Sequence, residues 1–232
     1  MNKILEIIQH DAIGDFIICN GLIRELVKKY IQEGYVKFVI RVKDWQKPTV
    51  SFMYRDLKEM EIQAHSEICN YTFDATIKIN MSTGEQGLRS KNIFPKSVNW
   101  DATFYAGYDI DFTKRWSSFK CDRDLNREEE LYKKLNPDNL PFIFIHNKYT
   151  LVKTEKIRKD LFVIDLTEGH TDNIFDYLTL LEKAEEIHAC DSCIVHLVES
   201  YPNVGKKLFY HNYPSRSSGM HWTPLKVWYE PG

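Results

Sequence analysis

The feature that most constrains this chain is an abrupt change of pattern near its start. Residues 3–9, KILEIIQ, form an apolar run of strand length that stops at His10 and Asp11, turns through Ala12, Ile13 and Gly14, and restarts as a helix from Asp15 to Tyr30. On that helix Phe16, Cys19, Leu22, Ile23, Leu26 and Tyr30 share one face, with Arg24, Glu25 and Lys28 off it. A strand feeding a helix through a short turn is the unit from which parallel sheets are wound. VKFVIRV, residues 36–42, and TFDATIKI, residues 72–79, read as further strands from their β-branched content. The aromatic-rich stretch 97–119 has no clean period and reads as a helix followed by a loop.

LNREEELYKKLNPDNLP, residues 125–141, supplies a charged helix and then a Pro-Asp-Asn break, after which the pattern starts again. Strands are expected at 141–146, 161–166, 186–191 and 206–211, with helices at 173–185 and 192–201; Ile174, Tyr177, Leu178 and Leu181 point inward on the first of these. The expected fold is therefore α/β, with two Rossmann-like lobes of parallel sheet facing a cleft, residues 1–138 and 139–232, and a boundary near 136–140. Each half contains a strand that ends in an acidic turn opening a helix: Gly14-Asp15 in the first and Asp191-Ser192 in the second.

Charge and composition exclude several classes of function. A formal net charge of −2 over 232 residues gives no reason to expect nucleic acid or an anionic membrane as partner. No apolar stretch approaches the ~18 residues of a membrane span, and His10, Asp11 and Asp15 interrupt the N-terminal apolar region too early for a signal peptide. Five scattered cysteines, an odd number, suit a reducing compartment better than a disulfide framework. A cytoplasmic protein is expected.

Parallel sheets bind ligands at the carboxyl ends of their strands. The first turn carries no G-x-G-x-x-G and no G-K-[ST], so neither dinucleotide nor Walker chemistry fits it. What it does carry is Asp15, placed to act as a general base on a hydroxyl, while the helix opening at Ser192 is suited to hold an anionic leaving group without a metal. His10 stands beside the turn as a residue to position an acceptor. The basic run 146–159 brings His146, Lys148, Lys153, Lys156 and Arg158 to follow a strand end, and Arg216 adds a guanidinium that can bind phosphate bidentately.

The segment AIGDFIICNGLIREL resembles the first βα turn of heptosyltransferase-like glycosyltransferases of the GT-B fold, and AEEIHACDSCIVHLVES is similar to their late Asp-Ser turn before a helix carrying His. NWDATFYAGYDIDFTKRWSSF and LFYHNYPSR resemble sections of short bacterial and viral relatives. The resemblance implies a nucleotide-sugar donor, a saccharide or other hydroxyl acceptor, Asp15 as catalytic base, and no cofactor or metal. It also implies a donor site drawn from Gly14, His146, Lys148, Lys153, Lys156, Arg158, Asn173, Asp191, Ser192, Cys193, His196, His211 and Arg216. Cys193 departs from the glycine usual there.

Three other readings compete. His188, Cys190, Cys193 and His196 are potential zinc ligands, although a strand-to-helix path separates them. Cys190 and Cys193 form a C-x-x-C opening a helix, the arrangement of a redox pair in thioredoxin-like folds. The same fold also serves as a non-catalytic nucleotide- or sugar-binding module.

Overall fold

The computed structural model describes residues 2–9, 12–95, 98–146, 152, 157–166, 169–211 and 222–230. The chain is α/β and divides into two compact units: residues 1–122 with 221–223, and residues 123–220 with 224–232. Each unit is built on a four-stranded parallel sheet.

In the first unit the strands are β1 (Lys3–Ile8), β2 (Tyr35–Val42), β3 (Met60–Ala64) and β4 (Ala75–Lys78), ordered β3-β2-β1-β4. In-register neighbours of a parallel pair point to the same side. Leu5 and Ile7 therefore share a face with Phe38 and Ile40, all fully buried. Helices α1 (Ile13–Ile18), α2 (Asn20–Gln32) and α3 (Lys47–Met53) belong to the connections that run β1 to β2 to β3. Right-handed crossovers in one direction lie on one face, and this is the apolar one. The β3-to-β4 connection runs the other way, over the opposite face, and residues 65–74 form no helix. That face carries Glu6, Lys37, Arg41, Glu61 and Thr76, and Tyr71 from the connection donates to Glu61 at 2.7 Å.

The helix expected from Asp15 to Tyr30 is broken at Cys19, and the cause is a side chain inserted into its ladder. The buried Tyr105 hydroxyl, from α5 (Trp100–Ala106), donates to the Ile18 carbonyl at 2.7 Å and accepts the Leu22 N–H at 3.2 Å. Arg24 also departs from expectation, being only 7% exposed. Its guanidinium spans both Asp56 carboxylate oxygens at 2.8 and 3.0 Å and reaches the Lys120 carbonyl at 2.7 Å. Helices α4 (Met81–Ser90) and α6 (Lys114–Ser117) complete the unit; α4 and strand β3 have no counterpart in the sequence reading. The C-terminal Thr223 joins it by donating its N–H to Asp101, which also pairs with Arg115.

The second unit opens with α7 (Leu125–Leu135), the charged helix that the Pro-Asp-Asn break leaves on the other side of the expected boundary. Arg123 and Arg127 account for its placement: Arg123 pairs with Glu128 and Glu182, and Arg127 with Asp172 and Asp176. Strands β5 (Phe142–His146), β6 (Phe162–Asp165), β7 (Glu186–Cys190) and β8 (Leu208–His211) are ordered β6-β5-β7-β8. A 3-10 turn at Ile174–Tyr177 leads into α8 (Leu178–Lys183), and α9 (Cys193–Ser200) follows β7. β5 is buried on both sides. Tyr132 and Tyr177 pack against Phe142 and Phe144, while Val152 and Ile157, from the β5-to-β6 connection, cluster with Ile143 and Ile145. Tyr229 extends the sheet beyond β8, its N–H donating to the Leu208 carbonyl at 2.8 Å.

Candidate functional site

The carboxyl edge of the first sheet carries the Gly-Asp turn. β1 ends at Ile8, and Gln9 continues the inward face of Leu5 and Ile7; both its amide atoms are buried without a hydrogen-bond partner. A buried amide in that condition is costly, so it marks a place where the fold is not optimised for stability alone. Ala12 is the N-cap of α1, with Gly14 buried inside its first turn. Asp15 is half-buried, and its carboxylate accepts the Ala12 N–H at 2.8 Å. The turn is therefore held by the side chain the sequence singles out. Its acidic group also suits the positive end of a helix. His10 lies outside the described residues.

The carboxyl edge of the second sheet gathers the ends of its four strands: Asp165, His146, Cys190 and His211. Ser192 is the N-cap of α9, yet its hydroxyl makes no cap bond to the helix. It lies instead 2.8 Å from His146 Nδ1. The β5 end and the start of α9 are thereby tied together, and the α9 N–H groups open at the strand ends. Asp191, Ser192 and Cys193 are half-buried at this turn. Cys190 Sγ is 3.7 Å from the His146 carbonyl, and all five cysteines are thiols.

Other residues of the expected donor set have different surroundings. His196 is 2% exposed, inside the packing of α9. Asn173 is buried too: it caps the 3-10 turn by accepting the Phe175 N–H at 3.2 Å and donates to Asp176 at 3.1 Å. Arg158 pairs with Asp160 at 2.5 Å and approaches Glu186 at 3.8 Å. Lys148, Lys153, Lys156 and Arg216 lie outside the described residues.

Two features of these edges are absent from the sequence reading. One is Gln9, whose signal is a polar residue at the third inward position of an otherwise apolar strand face. The other is a chain of buried polar groups, Glu186 to His188 at 3.3 Å and His188 to His211 at 3.0 Å. Its trace in the sequence is the alternation of polar residues in EIHAC. Among the described residues no group of three or more His, Cys, Asp or Glu side chains could hold a metal ion, and no helix is long and apolar enough to cross a membrane.

Neither a known protein family nor a curated protein sequence matches the chain. Solved structures do. The glycosyl transferase family 9 protein of Veillonella parvula DSM 2008 matches with a TM-score of 0.55 at 9% identity, over 99% of this chain and 88% of that one. TibC, an iron-containing dodecameric glycosyltransferase from enterotoxigenic E. coli H10407, matches with a TM-score of 0.54 at 11% identity, over 96% of this chain; the chain spans 64% of its length. E. coli heptosyltransferase WaaC with ADP matches with a TM-score of 0.46 at 10% identity, over 89% of this chain and 86% of that one. At such identities the likeness is one of architecture: the chain shares the fold of the glycosyl transferase family 9 protein and of TibC.

Proposed function

We propose that this protein is a glycosyltransferase that moves a sugar from a nucleotide-sugar donor to an acceptor hydroxyl without a metal. The observation that carries the reading is the likeness of fold to a glycosyl transferase family 9 protein over nearly the whole chain, with a polar edge on each sheet where such chemistry is placed. The first unit takes the acceptor, and Asp15 removes the proton of its hydroxyl as the bond to the sugar forms. The second unit takes the donor. The start of α9, with Ser192 and His146, receives the diphosphate, and Lys153, Lys156 and Arg216 are the cations assigned to it by sequence. Charge on the departing diphosphate is stabilised by these N–H groups and cations.

Asp15 already has a structural task in accepting the Ala12 N–H, which favours a second reading, a module that binds the donor and transfers nothing. One substitution separates the two. Asp15→Asn should leave nucleoside diphosphate affinity unchanged and lower transfer by roughly 10² to 10⁴-fold, the usual loss with a general base. Wild-type transfer in that variant would remove Asp15 from catalysis. Absence of transfer by the wild type, with diphosphate binding intact, would favour the module. The donor half is tested by calorimetry with nucleoside diphosphates, where Lys153→Ala or Arg216→Ala should each cost roughly 1.5 to 3 kcal/mol. A wild type that binds none of them would overturn the reading.

A further inference from the structure

The polar face of the first sheet changes character along its strands. In the order β3-β2-β1-β4, the register sets Glu61, Val39, Glu6 and Thr76 side by side and, two residues nearer the carboxyl edge, Gln63, Arg41, Ile8 and Lys78. The carboxylates of the first row are taken. Glu61 pairs with Lys37 at 2.5 Å and accepts the Tyr71 hydroxyl and Gln63 Nε2, each at 2.7 Å, while Glu6 accepts the Thr76 hydroxyl at 2.9 Å. The cations of the second row are not. Of the arginines among the described residues, Arg41 is the one whose guanidinium has no hydrogen bond or ion pair. Nor does the ammonium of the exposed Lys78 have one.

An exposed lysine in that condition is ordinary, but Arg41 is not. The residue is half-buried, and its Nε is closed from solvent with nothing to accept its hydrogen. A guanidinium drawn out of water without a counter-charge is a cost to the fold. Gln63 repeats the pattern beside it: 7% exposed, with Nε2 held by Glu61 and Oε1 buried and unmatched. This is also where a parallel sheet offers a crevice. The connection that follows β1 lies on one face and the connection that precedes β4 on the other, so Ile8 and Lys78 end the two strands at which the winding reverses. Strands lie ~4.8 Å apart, which puts the Arg41 and Lys78 backbones about 10 Å from each other, within reach of a single anion above Ile8.

We propose that Arg41 and Lys78 form an oxyanion site at the carboxyl edge of the first sheet, filled by the phosphate or carboxylate of a small ligand. Arg41 brings a planar fork that matches either group, and Lys78 a second charge. Gln63 Oε1 accepts from a hydroxyl carried near the anion. The site belongs to the first unit alone and does not rest on the transfer reading, since it lies on the opposite face of the sheet from the connection that carries Asp15.

The test is thermal unfolding of the full chain with glucose 6-phosphate, gluconate or glucose, at an ionic strength matched with KCl. The anions should raise the midpoint and glucose should not; a rise with one anion alone assigns the group as phosphate or as carboxylate. Without ligand, Arg41→Met should unfold at a higher temperature than the wild type, having lost an uncompensated charge, and it should lose the ligand-dependent rise. Lys78→Ala should weaken binding about tenfold. Lys28→Met, the same change of charge at an exposed position of α2, should keep the whole rise. No rise from either anion in the wild type would overturn the proposal, as would an equal rise from glucose or a rise that survives in Arg41→Met. Should Arg41→Met fail to fold, Arg41→Lys, which keeps the charge and loses the fork, should bind the anion more weakly, and wild-type affinity in that variant would overturn the proposal as well.

Discussion

The two sheets have the same plan and opposite treatment of one face. In each, most connections run in one direction and carry helices, and one runs the other way: residues 65–74 in the first unit and, in the second, the connection from β5 to β6, of which Val152 and residues 157–161 are described. The first of these is without a helix, and no helix lies among the described residues of the second. The second connection supplies Val152 and Ile157 to cluster with Ile143 and Ile145, and the strand β5 they cover is buried on both sides. The first supplies Tyr71, whose hydroxyl meets Glu61, and its sheet face stays charged and half-exposed. Parallel sheets are usually covered on both faces. The contrast shows two treatments of that face: line it with apolar side chains from the connection, or make it polar.

Substitutions on the two faces should break or sharpen this contrast. Phe144 and Ile145 point to opposite sides of β5 and are both buried, so Phe144→Ala should cost about 3–5 kcal/mol and Ile145→Ala about 2–5 in urea unfolding. A cost under 1 kcal/mol for Ile145→Ala would mean that Val152 and Ile157 do not fill that face.

Acid should act next, and on the first unit. Burial pushes the Asp56 carboxyl up, but Arg24 and Lys120 pull it further the other way, to about 2. A depressed carboxyl contributes stability that is present above its unfolded value, near 3.8, and lost as pH falls toward 2. The contribution is about 2 kcal/mol. Asp56→Asn should flatten the acid limb of the stability curve over that window; an unchanged limb would assign acid sensitivity elsewhere.

Gln9→Leu should raise stability by at least about 1 kcal/mol, since it replaces an unpartnered buried amide with apolar volume. Thermal unfolding measures this, and a loss would show that the amide finds a partner in solution. The smallest effect belongs to the polar face: Glu6, which accepts the Thr76 hydroxyl at 2.9 Å, should change stability by less than about 0.5 kcal/mol on Glu6→Ala. A loss comparable to that of a buried residue would mean that this face is covered in solution.

Part of the site was legible because it is written in local pattern. The Asp15 turn shows as the end of one period and the start of another, and Ser192 shows as a cap residue before an apolar helix. The use of the Ser192 hydroxyl was not legible. An N-cap serine is expected to bond its own helix, and only the adjacency of β5 and β7 puts His146 within reach. The same holds for Asn173, whose position suggested a ligand and whose side chain caps a turn.

By itself, then, the sequence determined the α/β class, seven of the eight strands among the described residues and the two acidic turns, since these depend on periodicity and on residues close together in the chain. Tertiary structure decided what depends on residues far apart. It put Tyr105 into the ladder of the first helix, buried Arg24 against Asp56, drew α7 into the second unit through Arg123 and Arg127, and aligned Glu186, His188 and His211. Each of these is a polar group satisfied across the fold, and a buried polar group takes whichever partner the packing brings near it.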